Sequence, residues 1–177
     1  NVTGITHTVQ KKLSTLIEEC EIKHIRGNKY ISVTGITYDS RKIKPGFIFT
    51  ALSGFHTDGH RFIPKAIEAG AAAIVHKADL SYYSEDMTYI QVESVRPILS
   101  LLSAAFYEYP SRRLGIIGVT GTDGKSTTVW FIHQLLEALG HKSGFLSTVQ
   151  IKTGYTIEKN PLRQSTPEAP EVQEILY

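Results

Sequence analysis

Residues 120–127 of the chain read Thr120-Gly121-Thr122-Asp123-Gly124-Lys125-Ser126-Thr127. The apolar run before them, residues 114–120, predicts a strand in the centre of a parallel sheet. After them, apolar residues recur at a helical spacing that ends near Gly140, at Val129, Ile132, Leu135, Leu136 and Leu139. A strand, a glycine-rich turn and a helix in this order are typical of a phosphate-binding loop.

The chemistry of this loop follows from its residue types. Gly121 and Gly124 let the backbone turn tightly and expose its N–H groups, and the helix N-terminus adds partial positive charge. Lys125 supplies a full positive charge near the β- and γ-phosphates of a nucleotide, and Ser126 offers a hydroxyl to a magnesium ion. We therefore expect residues 121–127 to bind the phosphates of a nucleotide together with Mg²⁺.

One position departs from the general phosphate-loop pattern. That pattern has glycine five positions before Gly124, where this chain has Val119. The alternative interpretation is a strand–turn–helix junction that contains Gly-Lys-Ser by chance.

Composition excludes several classes of protein. The 177 residues are 41% hydrophobic and 20% charged, which argues against disorder, and the net charge of +2 gives no field directed at nucleic acid or at a membrane surface. The longest apolar runs, such as residues 71–75, are too short to cross a bilayer. The single Cys20 cannot form an internal disulfide, which fits a reducing compartment. We expect a cytoplasmic protein with no nucleic-acid partner and no membrane insertion.

Residues 1–110 alternate between strand and helix patterns. Short β-branched and aromatic runs predict strands at residues 30–33, 36–38, 47–51, 72–76 and 89–92. Helical spacing predicts a short amphipathic helix through Leu13, Leu16, Ile17 and Cys20, a second through Phe62, Ile63, Ala66 and Ile67, and a third over residues 95–107. The alternation predicts an α/β domain.

A domain boundary is predicted at residues 109–113. Pro110 stops the preceding helix, and the polar run after it has the composition of a linker. Residues 111–177 would begin a second domain with a βαβ unit, whose second strand is residues 144–149. A hairpin or long loop over 150–164 and a helix start at Ser165-Thr166-Pro167-Glu168 would follow. One βαβ unit cannot close a doubly wound sheet, so we expect this P-loop parallel-sheet ATPase domain to be incomplete.

Polar loops follow two predicted strands of the first domain. Asp39-Ser40-Arg41 follows residues 36–38, and residues 53–60 follow residues 47–51. Ligands often bind at such strand ends, where Ser40 and Thr57 could bond a phosphate or base and Phe55 or His56 could stack on a ring. Physical grounds alone favour a simpler interpretation, in which Asp39 and Asp58 only tie their own loops.

These segments together resemble the Mur ligase family. The family's N-terminal domain pattern is followed by Asp39-Ser40-Arg41, Pro45-Gly46, Phe49-Thr50-Ala51-Leu52-Ser53-Gly54, Asp58-Gly59-His60 and Phe62-Ile63. Residues 121–126 resemble the family's ATP loop, which naturally lacks the early glycine. The resemblance implies that residues 121–127 bind ATP with Mg²⁺ and that Lys125 is the catalytic residue. Within the family, the Gly-Thr start of the loop and Ser165-Thr166-Pro167-Glu168 followed by Gln173 resemble the members that add the third peptide residue.

The resemblance implies an ATP-dependent amide ligase of peptidoglycan-precursor synthesis. It would add a diamino acid, meso-diaminopimelate or L-lysine, to UDP-MurNAc-L-Ala-D-Glu, which residues 1–110 would hold through the nucleotide-linked sugar. The implied uridine and diphosphate site is Tyr38, Ser40, Phe55, His56 and Thr57, and the implied muramoyl-peptide contacts are Gln164, Ser165 and Thr166. Asp123 departs from the asparagine that is more usual in this subfamily and adds negative charge beside the phosphates.

The family's later magnesium-binding acidic residue, its modified lysine and its amino-acid-binding domain would lie beyond Tyr177. We therefore expect the full-length parent to be an enzyme and this chain to be inactive alone. We also expect a monomer. The alternatives are the dipeptide-adding Mur ligase, a folate polyglutamate ligase, a non-catalytic UDP-sugar-binding module and an unrelated P-loop kinase.

Two residues outside these motifs are expected to have structural roles only. Cys20 is interpreted as a buried small hydrophobic residue, and His133 as a partly exposed position on the helix after the loop.

Overall fold

The computed structural model describes residues 9–54, 58–160 and 167–177. The chain forms two compact units, Asn1–Pro110 with Tyr177 and Ser111–Leu176. Among the helices in these described ranges, none combines the length and the apolar character needed to cross a bilayer.

The first unit is built on a mainly parallel sheet. Its strands are β1 (Lys11–Lys12), β2 (His24–Arg26), β3 (Ser32–Val33), β4 (Gly35–Thr37), β5 (Phe47–Thr50), β6 (Ala73–His76) and β7 (Thr88–Gln91). The main sheet has the order β2-β7-β6-β5-β4, in which β4 to β7 are parallel and β2 is an antiparallel edge. Strands β1 and β3 form a separate antiparallel pair.

Helices cover one face of this sheet. Helix α1 (Leu13–Leu16) and helix α3 (Val95–Phe106) pack there, and α3 buries Val95, Ile98, Leu99, Leu102 and Phe106. This spacing is that of a single helix face, and each fully buried aliphatic side chain contributes about 1.5–3 kcal/mol to stability. The result is a core of the kind that the strongly apolar sequence of residues 95–107 predicted.

Helix α2 (Ile63–Glu68) and the 3₁₀ turn Gly59–Phe62 belong to the opposite face. Alternate strand residues point to opposite faces, so Ile48, Val75 and Ile90 join the core under α3, whereas Phe49, Ile74 and Tyr89 join the core under α2. The centre of the sheet is therefore buried on both sides, which explains why β5 and β6 are nearly continuous apolar runs.

The predicted elements of this unit are present with altered ends. The strand expected at residues 30–33 forms only at Ser32–Val33, and the helix expected through Cys20 ends at Leu16. Cys20 is half-buried rather than fully buried, and burial raises the pKa of its thiol to about 11.

The described residues of the second unit include helices α4 (Lys125–Ala138) and α5 (Ala169–Leu176) and three strands. The strands are β8 (Phe145–Leu146), β9 (Gln150–Thr153) and β10 (Thr156–Lys159), in the antiparallel order β10-β9-β8. Helix α4 ends before Gly140, whose φ is +81°. The helix and the hairpin after residue 150 confirm two predictions.

The prediction of a strand at residues 114–120 was wrong. These residues form no strand, and Ile116 and Ile117 are 58% and 60% exposed. A central parallel strand requires paired neighbours and covered faces. Strand β8 pairs antiparallel with β9 instead of lying beside residues 114–120, so the expected βαβ unit does not form within the described residues.

The prediction for His133 was also wrong. Its side chain is 4% exposed, and its Nδ1 lies 2.6 Å from Oγ of Ser143. Glu137 accepts hydrogen bonds from the backbone N–H of Ser143 at 2.9 Å and from Lys152 Nζ at 3.2 Å. This polar network connects helix α4 to β9 through Glu137 and Lys152. Burial lowers the pKa of His133.

Candidate functional site

The phosphate loop leads into the first turn of α4. Gly124 has a φ of +76°, a left-handed conformation that residues with a side chain adopt at a cost, and α4 begins at Lys125. The first intrahelical bond runs from the N–H of Thr128 to the carbonyl of Gly124 at 2.9 Å. The preceding N–H groups therefore have no acceptor within the helix, and residues 121–124 are exposed. This arrangement can bind an anion.

Lys125 ties the loop together. Its Nζ donates to the carbonyl of Gly121 at 2.7 Å and to that of Thr122 at 3.0 Å. These bonds hold the ammonium group beside the exposed turn. There its positive charge and the backbone N–H donors can attract the same anion. The ammonium group has three protons, so it can also donate to a phosphate oxygen.

Ser126 has a partner that the sequence did not suggest. Its Oγ lies 3.1 Å from Oγ1 of Thr148, and both side chains are half-buried. Thr148 follows β8, and the loop after a neighbouring strand commonly approaches a phosphate loop in α/β proteins. That general topology is the only signal by which the sequence could have identified Thr148.

The groups around this turn fit a magnesium nucleotide. Backbone N–H groups and the Lys125 ammonium match phosphate oxygens, and the Ser126 hydroxyl is a hard oxygen ligand of the type that Mg²⁺ prefers. Asp123 and Thr127 are exposed beside them. The carboxylate of Asp123 adds negative charge at the turn, which opposes phosphate binding unless a cation is present.

The loops of the first unit are ordered by carboxylates. Asp39 accepts bonds from Arg41 Nε at 2.9 Å, Arg41 Nη2 at 2.8 Å and the Arg41 backbone N–H at 2.9 Å. The side-chain hydrogen bond from Arg41 is the main reason that the pKa of Asp39 falls to about 2. Tyr38 and Ser40, the neighbouring predicted substrate residues, are half-buried at the end of β4.

Asp58 organises the second loop in the same way. Its Oδ1 accepts from Ser53 Oγ at 3.0 Å and from the His60 backbone N–H at 3.1 Å, and lies 2.6 Å from His60 Nδ1. The hydrogen bond to the His60 side chain is the largest cause of a lowered pKa for Asp58. The structure thus confirms that Asp39 and Asp58 tie their own loops.

Gly59 and His60 add further hydrogen bonds to the loop that Asp58 organises. The N–H of Gly59 donates to the carbonyl of Leu52 at 3.1 Å, and a Cβ on Gly59 would lie 2.6 Å from the Leu52 backbone. His60 Nε2 accepts from the backbone N–H groups of Lys77 at 3.1 Å and Ala78 at 3.3 Å. The Asp-Gly-His segment therefore joins the end of β5 to the end of β6.

Six predicted substrate residues lie outside the described residues: Phe55, His56, Thr57, Gln164, Ser165 and Thr166. Their assignment stays a prediction. The tyrosines Tyr82, Tyr83 and Tyr89 occupy surface and packing positions. Tyr89 is buried and Tyr82 is 76% exposed, and Tyr83 lies edge-on to Tyr89 with ring centroids 4.9 Å apart.

Two family models match the chain. Residues 32–107 match "Mur ligase family, catalytic domain", and residues 119–177 match "Mur ligase middle domain". Together the two matches extend over most of the chain, and both phosphate-loop and strand-end motifs fall within them.

Two curated relatives are named as a tripeptide synthetase and a diaminopimelate ligase. The chain is 44% identical over 174 residues to a UDP-N-acetylmuramyl-tripeptide synthetase of Borreliella afzelii, covering 95% of this chain and 34% of the relative. It is 39% identical to a UDP-N-acetylmuramoyl-L-alanyl-D-glutamate–2,6-diaminopimelate ligase of Alkaliphilus metalliredigens, covering 93% of this chain and 33% of the relative. The chain thus spans about a third of the length of these relatives.

A solved structure of a UDP-N-acetylmuramoyl-L-alanyl-D-glutamate–2,6-diaminopimelate ligase shares the fold. It has a TM-score of 0.66 at 22% identity, over 94% of this chain and 33% of that one. Motifs, family models and relatives agree, and the chain belongs to the Mur ligase family, of which it contains the N-terminal and middle-domain segments.

Proposed function

We propose that this chain is the nucleotide-binding part of an ATP-dependent amide ligase that adds a diamino acid to UDP-MurNAc-L-Ala-D-Glu. Residues 1–110 would hold the UDP-linked sugar, and residues 111–177 would begin the ATP-binding domain. The diamino acid would be meso-diaminopimelate or L-lysine. The observation that carries the proposal is the exposed phosphate loop, with Lys125 bonded to its carbonyls, in a chain of this family.

The proposed roles in the second unit follow from charge and geometry. When bound, ATP with Mg²⁺ supplies the phosphoryl group that activates the substrate carboxylate for attack by the amine. The backbone N–H groups at the start of α4 orient the phosphates, and Lys125 neutralises charge on them. Ser126 presents a hydroxyl oxygen to the magnesium ion. Catalysis of phosphoryl transfer depends mainly on such positioning and charge neutralisation.

The proposed substrate site lies at the strand ends of the first unit. Tyr38 and Ser40 follow β4, and ligands of parallel α/β sheets bind beyond the carboxyl ends of strands. Phe55, His56 and Thr57 would complete the uridine and diphosphate site, and Gln164, Ser165 and Thr166 would meet the muramoyl-peptide. The hydrogen bonds that the Asp39 and Asp58 carboxylates accept support this proposal, because they fix the backbone beside the expected ligand contacts.

The chain spans about a third of its relatives, and we propose that the remaining catalytic groups lie in the rest of the parent protein. The 177-residue chain would then bind ligands without turnover. A cytoplasmic location, a magnesium requirement and a monomeric state belong to the same proposal. The dipeptide-adding ligase is the second candidate, and the names of the relatives favour the first.

Calorimetric titration of the chain tests this function. We expect separate binding of Mg·ATP and of UDP-MurNAc-L-Ala-D-Glu. Lys125→Ala should weaken Mg·ATP binding by about 10-fold or more, because a charge-assisted phosphate contact is lost, and leave the sugar nucleotide unaffected. Lys142→Ala, at an exposed lysine after α4, is the matched control.

Two of the alternatives predict different titrations. Sugar-nucleotide binding with no Mg·ATP binding would indicate a non-catalytic module. Mg·ATP binding without any affinity for the uridine nucleotide would indicate an unrelated P-loop protein. Substrate-dependent release of ADP by the 177-residue chain would contradict the proposal that it is inactive alone.

A further inference from the structure

We propose that Thr148 is a positioning residue that orients the Ser126 hydroxyl toward the magnesium ion of a bound nucleotide. The inference rests on the proposed function, since it concerns the same phosphate loop. It is carried by the 3.1 Å separation between Ser126 Oγ and Thr148 Oγ1.

The chemistry of a serine hydroxyl sets the requirement. The group has one proton and two lone pairs, and a cation takes a lone pair. The proton must then point away from the cation and needs an acceptor, because an unpaired hydroxyl in a half-buried site lowers stability. The oxygen of Thr148 lies at hydrogen-bond distance and can accept that proton. Acceptance by Thr148 leaves a lone pair of Ser126 oriented for the metal.

The turn that carries Thr148 is held firmly. Ser147 donates its backbone N–H to the carbonyl of Gln150 at 2.9 Å, and its Oγ accepts from the N–H of Gln150 at 3.0 Å. Asn160, which is 3% exposed, donates its side-chain amide to the carbonyl of Ser147 at 2.7 Å and its backbone N–H to the carbonyl of Val149 at 2.9 Å. Thr148 therefore lies between two backbone carbonyls that Asn160, the residue after β10, fixes.

This anchoring makes Thr148 suited to orienting the Ser126 hydroxyl. A metal-binding hydroxyl is effective when its partner has a fixed place, because outer-shell hydrogen bonds orient the ligand atom. Ser126 is fixed by the first turn of α4, and Thr148 by the tied turn after β8. The contact joins two ordered elements of one unit and requires no residue from elsewhere.

A purely structural role predicts different behaviour. If the contact only fastened α4 to the hairpin, its loss would lower stability and weaken nucleotide binding equally with and without magnesium. A positioning role predicts a loss confined to the magnesium-bound form. The dependence on magnesium, rather than affinity alone, therefore distinguishes the two.

The test compares Thr148→Val, which removes the hydroxyl at nearly constant volume, with Thr148→Ser, which retains it. Thr153→Val, at an exposed threonine of β9, is the control. Affinity for a fluorescent ADP analogue is measured in excess magnesium and in chelator. We expect Thr148→Val to weaken binding about 10-fold in magnesium and to leave binding in chelator unchanged, as outer-shell mutations at metal sites commonly do. Thr148→Ser should restore most of the affinity.

The outcomes separate this inference from the proposed function. If the unmodified chain binds the ADP analogue, Lys125→Ala loses it and Thr148→Val does not, the inference is overturned and the proposed function stands. Equal losses in magnesium and in chelator, or failure of Thr148→Ser to rescue, would also overturn it. If the unmodified chain binds no nucleotide under either condition, the proposed function fails and this inference fails with it.

Discussion

His60 Nδ1 lies 2.6 Å from Oδ1 of Asp58, while Nε2 of the same ring accepts the backbone N–H groups of Lys77 and Ala78. A ring that accepts through Nε2 must carry its proton on Nδ1, which then donates to Asp58. One imidazole thus links the loop after β5 to the loop after β6, and both of its nitrogens are used.

Replacing His60 should loosen this link. His60→Phe removes the acceptor of two backbone N–H groups and the donor to Asp58, so we expect the first unit to lose about 1–3 kcal/mol of stability. Amide hydrogen exchange of β5 and β6 measures this unit by itself. Arg61→Ala, at an exposed residue of the same 3₁₀ turn, should have little effect. Equal protection in both variants would contradict the assigned role.

Gly59 should tolerate no side chain. A Cβ there would lie 2.6 Å from both the nitrogen and the oxygen of Leu52, atoms that belong to the backbone at the end of β5. Gly59→Ala should therefore destabilise the first unit by about 1–3 kcal/mol through overpacking. Gly115→Ala is the control, because a Cβ at Gly115 meets nothing within 4 Å. A Gly59→Ala variant as stable as Gly115→Ala would show that the loop can shift freely.

His76 should make the first unit sensitive to mild acid. Its ring is 1% exposed, its Nδ1 lies 2.8 Å from the Ala78 carbonyl, and burial is the main cause of its lowered pKa. The unfolded chain then binds the proton more readily, so the contribution of His76 is present above pH about 6.5 and is lost as pH falls below that value.

Denaturant titrations between pH 7.5 and pH 5 check this sign. The stability of the first unit should fall toward pH 5, by at most about 1.4 kcal/mol per pH unit for one group. His76→Phe should make the dependence shallower. A variant with the same slope as the unmodified chain would show that His76 takes up its proton equally in both states.

Asp39 should titrate in strong acid. Its pKa of about 2 is held down first by the Arg41 side-chain hydrogen bond. Because this pKa lies below the unfolded value, the contribution of Asp39 is present above pH about 4 and is lost as pH falls toward about 2. Arg41 is 82% exposed, so solvent screening keeps the contribution of this pair to stability small.

Carbon-13 NMR of the Asp39 carboxyl group measures the titration. In Arg41→Ala the midpoint should rise toward the ordinary aspartate value near pH 4. An unchanged midpoint in that variant would mean that another group lowers the pKa of Asp39.

Most of the first unit was predictable because its signals are local. Ala73–His76 and Thr88–Gln91 are apolar runs bounded by turns, and residues 95–107 show one buried helical face. The predicted strand at residues 114–120 failed for a nonlocal reason. Its apolar residues match a central strand, but a strand forms only where neighbours pair with it, and sequence pattern does not report the partner.

The same contrast between local signals and nonlocal contacts holds for the candidate site. The phosphate loop was predictable because glycine, lysine and serine at fixed spacing determine its chemistry. Thr148 was not, because its role depends on a contact across 22 positions of sequence. The burial of His133 was missed for the same reason, since Ser143 and Lys152 enclose it only after the hairpin has folded.

Nitrogen-15 NMR of the chain during titration with Mg·ADP tests whether the phosphate loop binds the nucleotide. We expect the largest amide shifts at Gly121, Gly124, Lys125 and Ser126, and we expect Lys125→Ala to abolish them at the same nucleotide concentration. Saturable Mg·ADP binding that leaves these amides unmoved, or binding that Lys125→Ala leaves intact, would contradict this expectation.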